Sequence, residues 1–179
     1  IVDFIYKSFK TANNRINLFA AFIERSILIL KKDGHFSFII PSSLLTQESY
    51  KELRKELLHK VHLNAIVRLP NESFGGSAGE VKVDTIIITF QRNKKENKKV
   101  EILVYKGFDR INDILRITSD FNFFIDQEEW IKDESFVFRI NVDEAINSLV
   151  ETIESNSRKL IDCAEFSLGL TPYDKYRGQ

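Results

Sequence analysis

The sequence predicts an α/β fold, and three observations carry that expectation. Apolar residues recur at three- and four-residue spacing in two stretches before residue 61, which is the period of an amphipathic helix. Short runs rich in β-branched and aromatic residues alternate with those stretches and end at turn-forming residues. The 179 residues are 43% hydrophobic and 12% aromatic, enough to enclose a sizeable core. Helices and strands in alternation pack as a sheet with helices on its faces.

Taken in order, Phe4, Tyr6 and Phe9 open the chain, and Thr11 to Arg15 reads as a loop. Asn17 to Lys32 reads as a helix with Leu18, Phe19, Phe22, Ile23, Ile27 and Leu30 as its apolar positions, ended by Lys31, Lys32 and Gly34. His35 to Ile40 follows as a strand closed by Pro41, and Thr46 or Gln47 to Lys60 as a second helix with Tyr50, Leu53, Leu57 and Leu58 inward. Leu63 to Leu69 is a strand ended by Pro70, and a loop with Gly75, Gly76 and Gly79 leads to the strand Thr85 to Phe90. The unbroken run Ile86 to Ile88 suggests burial of that strand on both faces. Asn93 to Lys99 is a lysine-rich turn and Val100 to Tyr105 a further strand. Beyond Gly107, a short helix is expected at Ile111 to Ile117, strands at Phe121 to Ile125 and Ser135 to Ile140, and a helix over Val142 to Ile161. The organisation expected is an α/β part over 1–106, an extension over 107–141 and a helical arm over 142–179.

Several classes are excluded or disfavoured. The lone Cys163 cannot pair within the chain, so a reducing cytoplasm is the expected location. No apolar run reaches the ~18 residues of a membrane span, and the first ten residues carry Asp3, Lys7 and Lys10, unlike a signal peptide. The chain opens on Ile1, and a piece of a longer protein is the expectation. Net charge is zero, yet residues 1–110 hold 19 basic against 12 acidic residues and residues 111–179 hold 7 against 14. A basic half can attract phosphates and an acidic half can dock a basic partner; scattered surface charge is the alternative.

Self-contained chemistry is not visible. His35, His59 and His62 have no cysteine or carboxylate cluster at ligand spacing, so no metal site is expected. Neither a phosphate loop nor G-x-G-x-x-G occurs.

The order of segments does carry a resemblance. Asn17-Leu18-Phe19 opening a helix that ends in Leu-Lys-Lys-Asp-Gly, followed by His35-Phe-Ser-Phe-Ile-Ile-Pro-Ser-Ser, is similar to the second half of an N6-adenine DNA methyltransferase. Tyr50-Lys-Glu-Leu-Arg-Lys-Glu-Leu-Leu, Ala65-Ile-Val-Arg-Leu-Pro, Phe74 and Val83-Asp-Thr-Ile-Ile-Ile-Thr-Phe continue the match over residues 1–106. The nearest kinds are the methyltransferase regions of fused Type IIG restriction-modification enzymes and of Type I modification subunits. The resemblance implies the carboxyl-terminal half of a Rossmann-like methyltransferase sheet, with S-adenosylmethionine as cofactor of the intact parent and double-stranded DNA as partner. A separate specificity subunit or a fused nuclease domain is a further partner it allows.

The family's donor-binding glycine motif and its Asn-Pro-Pro-Tyr-type motif lie upstream and are absent here, so the resemblance implies no catalytic residue in this chain and no activity of the piece alone. Methyl transfer needs donor and amine held in line at near-attack distance. What the resemblance assigns is Phe74, in the position that stacks on a base flipped out of the duplex; anchoring of a surface loop is the alternative. Pro41 and Ser42, past a strand's carboxyl end, are expected to line the base or donor pocket, or else to end a strand and cap a helix. Lys94 and Lys95 are expected either at phosphate or at a solvated hairpin tip. The tail Phe166-Ser-Leu-Gly-Leu-Thr-Pro-Tyr resembles the start of a target-recognition region, and Tyr173, Lys175, Tyr176 and Arg177 are its candidate DNA contacts. A non-catalytic assembly module docking through its acidic half is the rival reading.

Overall fold

The computed structural model describes residues 7–11, 17–70, 84–92, 98–107, 118–140 and 144–165, the side chains of 144–147 excepted. The chain divides into two compact units, Ile1–Val142 and Asp143–Gln179.

The first unit is built on a five-stranded mixed sheet in the order β1-β3-β2-β4-β5. Its strands are β1 (His35–Pro41), β2 (His62–Arg68), β3 (Thr85–Gln91), β4 (Lys99–Val104) and β5 (Phe121–Asp126). Strand β3 runs antiparallel to both β1 and β2, while β2 and β4 are parallel and β5 is antiparallel to β4. Hence β1, β2 and β4 all point the same way, and their carboxyl ends share one edge.

Helix α1 (Leu18–Ile29) starts where the Asn17 side chain accepts from the Phe19 amide. It stops at Leu30, whose backbone is extended, and not at Lys32 as the periodicity predicts. The reversal into β1 uses a left-handed Asp33 (φ 63°), followed by Gly34, where a Cβ would lie 2.9 Å from the Lys31 carbonyl. Two 3-10 turns, Ser42–Leu45 and Glu48–Tyr50, occupy the ground before α2 (Lys51–Lys60), so the second helix begins later than its apolar spacing predicts.

One face of the sheet carries the core. Ile86, Ile88 and Phe90 of β3 are fully buried with Ile40, Ile66, Val100 and Ile102, packed in one cluster with Phe19, Ile23 and Ile27 of α1 and Leu53, Leu57 and Leu58 of α2. Burial of each such side chain contributes ~1.5–3 kcal/mol. The opposite face is only partly covered: Ile87 and Thr89 are half-buried and Ile39 is 42% exposed. The expectation that β3 is buried on both faces is corrected accordingly.

Helix α3 (Gln127–Lys132) follows β5, with Asp126 capping the Glu128 amide. Buried Gln127 accepts from the Leu63 amide and donates to the Leu58 and Val61 carbonyls, tying α3 to the end of α2 and the irregular start of β2. The strand expected over Ser135 to Ile140 does not form. Phe136 has φ 51°, which no strand accommodates, and the carbonyls of Ser135 and Phe136 are spent on a side chain, Arg54. Trp130 stacks on Phe138 at 4.8 Å and donates to the Arg139 carbonyl.

In the second unit, helix α4 (Glu144–Asn156) is shorter than the Val142 to Ile161 expected, and a 3-10 turn, Leu160–Asp162, follows it. Leu149, Ile153, Leu160 and Ile161 are exposed. The expected helix at Ile111 to Ile117 lies outside the described residues. Among the described residues no helix is long and apolar enough to cross a membrane.

Candidate functional site

The shared carboxyl edge of β1, β2 and β4 is where an open α/β sheet presents ligands. Three amides carry the ladder one step past the strands: Ser42 donates to the Asp84 carbonyl (2.8 Å), Leu69 to the Thr85 carbonyl (3.1 Å) and Tyr105 to the Arg68 carbonyl (3.0 Å). Pro41 pairs across the sheet with Thr85. The structure therefore brings Pro41 and Ser42 together with Asp84 and Thr85, two residues that the sequence reading did not single out as site candidates.

Those two residues carry unusual atoms. The Thr85 hydroxyl and the Asp84 Oδ1 are buried and have no hydrogen-bond partner among the described residues. The other carboxylate oxygen of Asp84 meets the Arg68 guanidinium at 3.5 Å, a long contact between part-exposed side chains that is worth little. Farther along the edge, Asp120 accepts from the Lys106 amide (2.7 Å), and the Lys106 ammonium sits 4.6 Å from the Phe121 ring centre.

The turn Ser42–Leu45 that leaves this edge is held from beneath by Arg54. Its guanidinium, fully buried, donates to the carbonyls of Leu44 (3.0 Å), Gln47 (2.7 Å), Ser135 (3.0 Å) and Phe136 (2.8 Å). Burial lowers the Arg54 pKa, opposed by Glu48 and Asp133; guanidinium nonetheless stays charged. The Leu45 carbonyl also accepts from the Phe138 amide. Tyr50, raised by burial against a hydrogen bond with Ser43, closes the same turn. Sequence reasoning passed over Arg54, although its place beside Leu53 and three residues before Leu57 put it within the inward stripe of α2.

Of the other predicted residues, Phe74, Lys94, Lys95, Tyr173, Lys175, Tyr176 and Arg177 lie outside the described residues. The described chain reaches the carboxyl edge at Pro70 and is described again from Asp84 at the same edge, with residues 71–83 between them. That segment contains Gly75-Gly76-Ser77-Ala78-Gly79, the G-x-S-x-G spacing of a nucleophile elbow. An elbow requires a strand-to-helix turn, and the next described element here is the strand β3.

The histidines sit at the opposite edge. His35 and His62 begin β1 and β2, and His59 near the end of α2 bonds the Lys55 carbonyl. A cavity of about 210 Å³ lined by His59, His62, Lys98, Gln127 and Glu128 opens there. No group of three or more His, Cys, Asp or Glu able to hold a metal occurs among the described residues. Nor do the described residues fit a complete methyl-donor site: the carboxyl edge offers Ser42, Asp84 and Thr85 but no glycine loop behind β1, so no step through a donor is derived from this chain.

The type IIG restriction endonuclease BpuSI shares the fold at 19% identity and a TM-score of 0.56, over 89% of this chain and 21% of that one. In sequence, residues 2–74 match the model of the Eco57I restriction-modification methylase family. RM.MjaORFECS2P of Methanocaldococcus jannaschii, whose name assigns it as a type II restriction enzyme and methyltransferase, is 36% identical over 89 residues, or 50% of this chain. RM.Eco57I of Escherichia coli, a type II restriction enzyme and methyltransferase, is 28% identical over 107 residues, or 60% of this chain. The matches span 7% and 10% of those relatives' own length. The resemblance to restriction-modification methyltransferases and the mixed α/β fold expected from sequence are both borne out.

Proposed function

We propose that the chain is the carboxyl-terminal half of a methyltransferase domain in a restriction-modification enzyme that moves a methyl group from S-adenosylmethionine to the N6 amine of adenine in duplex DNA. The observation that carries the reading is the methylase family match over residues 2–74, which takes in β1, β2 and the Pro41–Ser42 corner of the carboxyl edge.

The surface of the first unit supports a larger domain. Helix α1 is apolar nearly all round, with Leu18, Phe22, Leu28 and Ile29 exposed by 53–63% on the side away from the core. A helix apolar on every side belongs inside a larger structure. Strand β1, the sheet edge beside it, carries no acidic residue, lysine or arginine to protect it from pairing.

In this reading the carboxyl edge receives a base extruded from the duplex. Phe74 stacks on it, Pro41 and Ser42 line the pocket, and Arg54 holds the turn that carries Ser42. Lys94, Lys95, Tyr173, Lys175, Tyr176 and Arg177 serve the DNA backbone or neighbouring bases, and a fused nuclease or separate specificity subunit completes the assembly. The test is incubation of the full-length protein with unmethylated duplex DNA and labelled S-adenosylmethionine, followed by nucleoside analysis. Label in N6-methyladenine is expected. Label in methylcytosine would overturn the adenine assignment. No transfer and no donor binding would overturn the enzyme reading in favour of an assembly module.

A further inference from the structure

We propose that Thr85 is a ligand-contacting residue whose hydroxyl hydrogen-bonds the ring edge of the extruded base. The inference rests on the reading above, and it goes beyond the aromatic stacking and pocket lining assigned there.

Four observations carry it. Thr85 is only 9% exposed, yet its Oγ1 meets no partner among the described residues. Among the described residues other hydroxyls in and around the core are engaged: Thr89 contacts Ser37 at 3.3 Å across the β1–β3 ladder, Ser26 donates to the Ile23 carbonyl, and Thr11 donates to Glu24. A buried hydroxyl left without a partner destabilises a fold, and valine would fill the same strand position with the same branching and none of that penalty. Thr85 is also fixed at the carboxyl edge, paired with Pro41, while its own carbonyl accepts from Leu69 at the start of the connection that holds Phe74.

The chemistry fits a heteroaromatic ring. A hydroxyl both donates and accepts, so it can meet either a ring nitrogen or an exocyclic amine at the base's edge. Asp84 is not part of this contact: successive strand residues point to opposite faces, and its carboxylate lies with Arg68 on the Ile86 face.

The experiment compares the full-length protein with its Thr85→Val and Thr85→Ser variants, using unmethylated duplex DNA and labelled S-adenosylmethionine. Thr85→Val is expected to lower kcat/KM about tenfold, with donor affinity by calorimetry unchanged and Tm equal or higher. Thr85→Ser, which keeps the hydroxyl, is expected to stay within twofold of wild type. A Thr85→Val enzyme within twofold of wild type overturns the proposal while leaving the methyltransferase reading intact. Equal losses in Val and Ser also overturn it, because then the hydroxyl is not what is read. A lowered Tm in Thr85→Val overturns it in favour of a structural bond. Absence of transfer by the wild type overturns the methyltransferase reading, and this proposal with it.

Discussion

Replacing Arg54 by methionine removes a buried cation that four backbone carbonyls surround. Hydrogen bonds to a charged group contribute ~1.5–3 kcal/mol each. Against their sum stands the desolvation of the guanidinium, several kcal/mol per buried ion. Methionine keeps the apolar stem of the side chain, so the loss is confined to the polar end. The carbonyls of Leu44, Gln47, Ser135 and Phe136 are then left to find water or to rearrange. The net expectation is a destabilisation of about 3–5 kcal/mol, as for breaking a buried charged network. Urea unfolding followed by circular dichroism measures it, and with a slope near ~2 kcal/mol/M the midpoint moves down by about 2 M. Hydrogen exchange localises it, because the Phe138 amide bonded to Leu45 loses protection first. A loss below about 1 kcal/mol with Phe138 still protected would refute the view that Arg54 pins the Ser42–Leu45 turn.

Three further outcomes follow from the same geometry. Gln127→Leu leaves the Leu63 amide and the Leu58 and Val61 carbonyls without their partner, so a loss of roughly 2–4 kcal/mol in urea is expected, with faster exchange at Leu63. Gly34→Ala forces a Cβ to 2.9 Å from the Lys31 carbonyl and should lower stability by about 1–2 kcal/mol; an unchanged Tm would show that the turn yields freely. Burial raises the Asp133 pKa, but the Ser135 amide and hydroxyl, Arg139 and Arg54 outweigh it and leave the carboxyl below its ordinary value. Its contribution is therefore present above the unfolded carboxyl range near ~3.9 and fades as pH falls through the lower folded value. Acid unfolding of Asp133→Asn should accordingly show a shallower loss below about pH 4 than wild type.

Much of the fold could be read from residue patterns because the signals were local. The periodicity of α1 and α2 and the β-branched composition of β1 to β4 put each element within a few residues of its place. The failures have non-local causes. Ser135 to Ile140 has the composition of a strand, but its carbonyls answer to Arg54, which is 81 and 82 residues from its partners there. Strand β3 reads as buried on both faces because its sequence carries no marker of which face the helices choose. The carboxyl edge itself was legible through Pro41 and Ser42. The unpartnered Thr85 hydroxyl was not, since a strand threonine looks alike in sequence whether or not its hydroxyl finds a partner in three dimensions.

A chain that shapes the base pocket of a DNA methyltransferase makes turnover of the full-length protein depend on Phe74, so the measurement to make is methylation with and without Phe74→Ala. Base stacking on an aromatic ring contributes ~1–3 kcal/mol, so the substitution should lower methylation of duplex adenine by about tenfold or more. Methylation that is indifferent to Phe74→Ala would contradict the pocket at the carboxyl edge, and a full-length protein that neither binds S-adenosylmethionine nor methylates DNA would contradict the methyltransferase assignment itself.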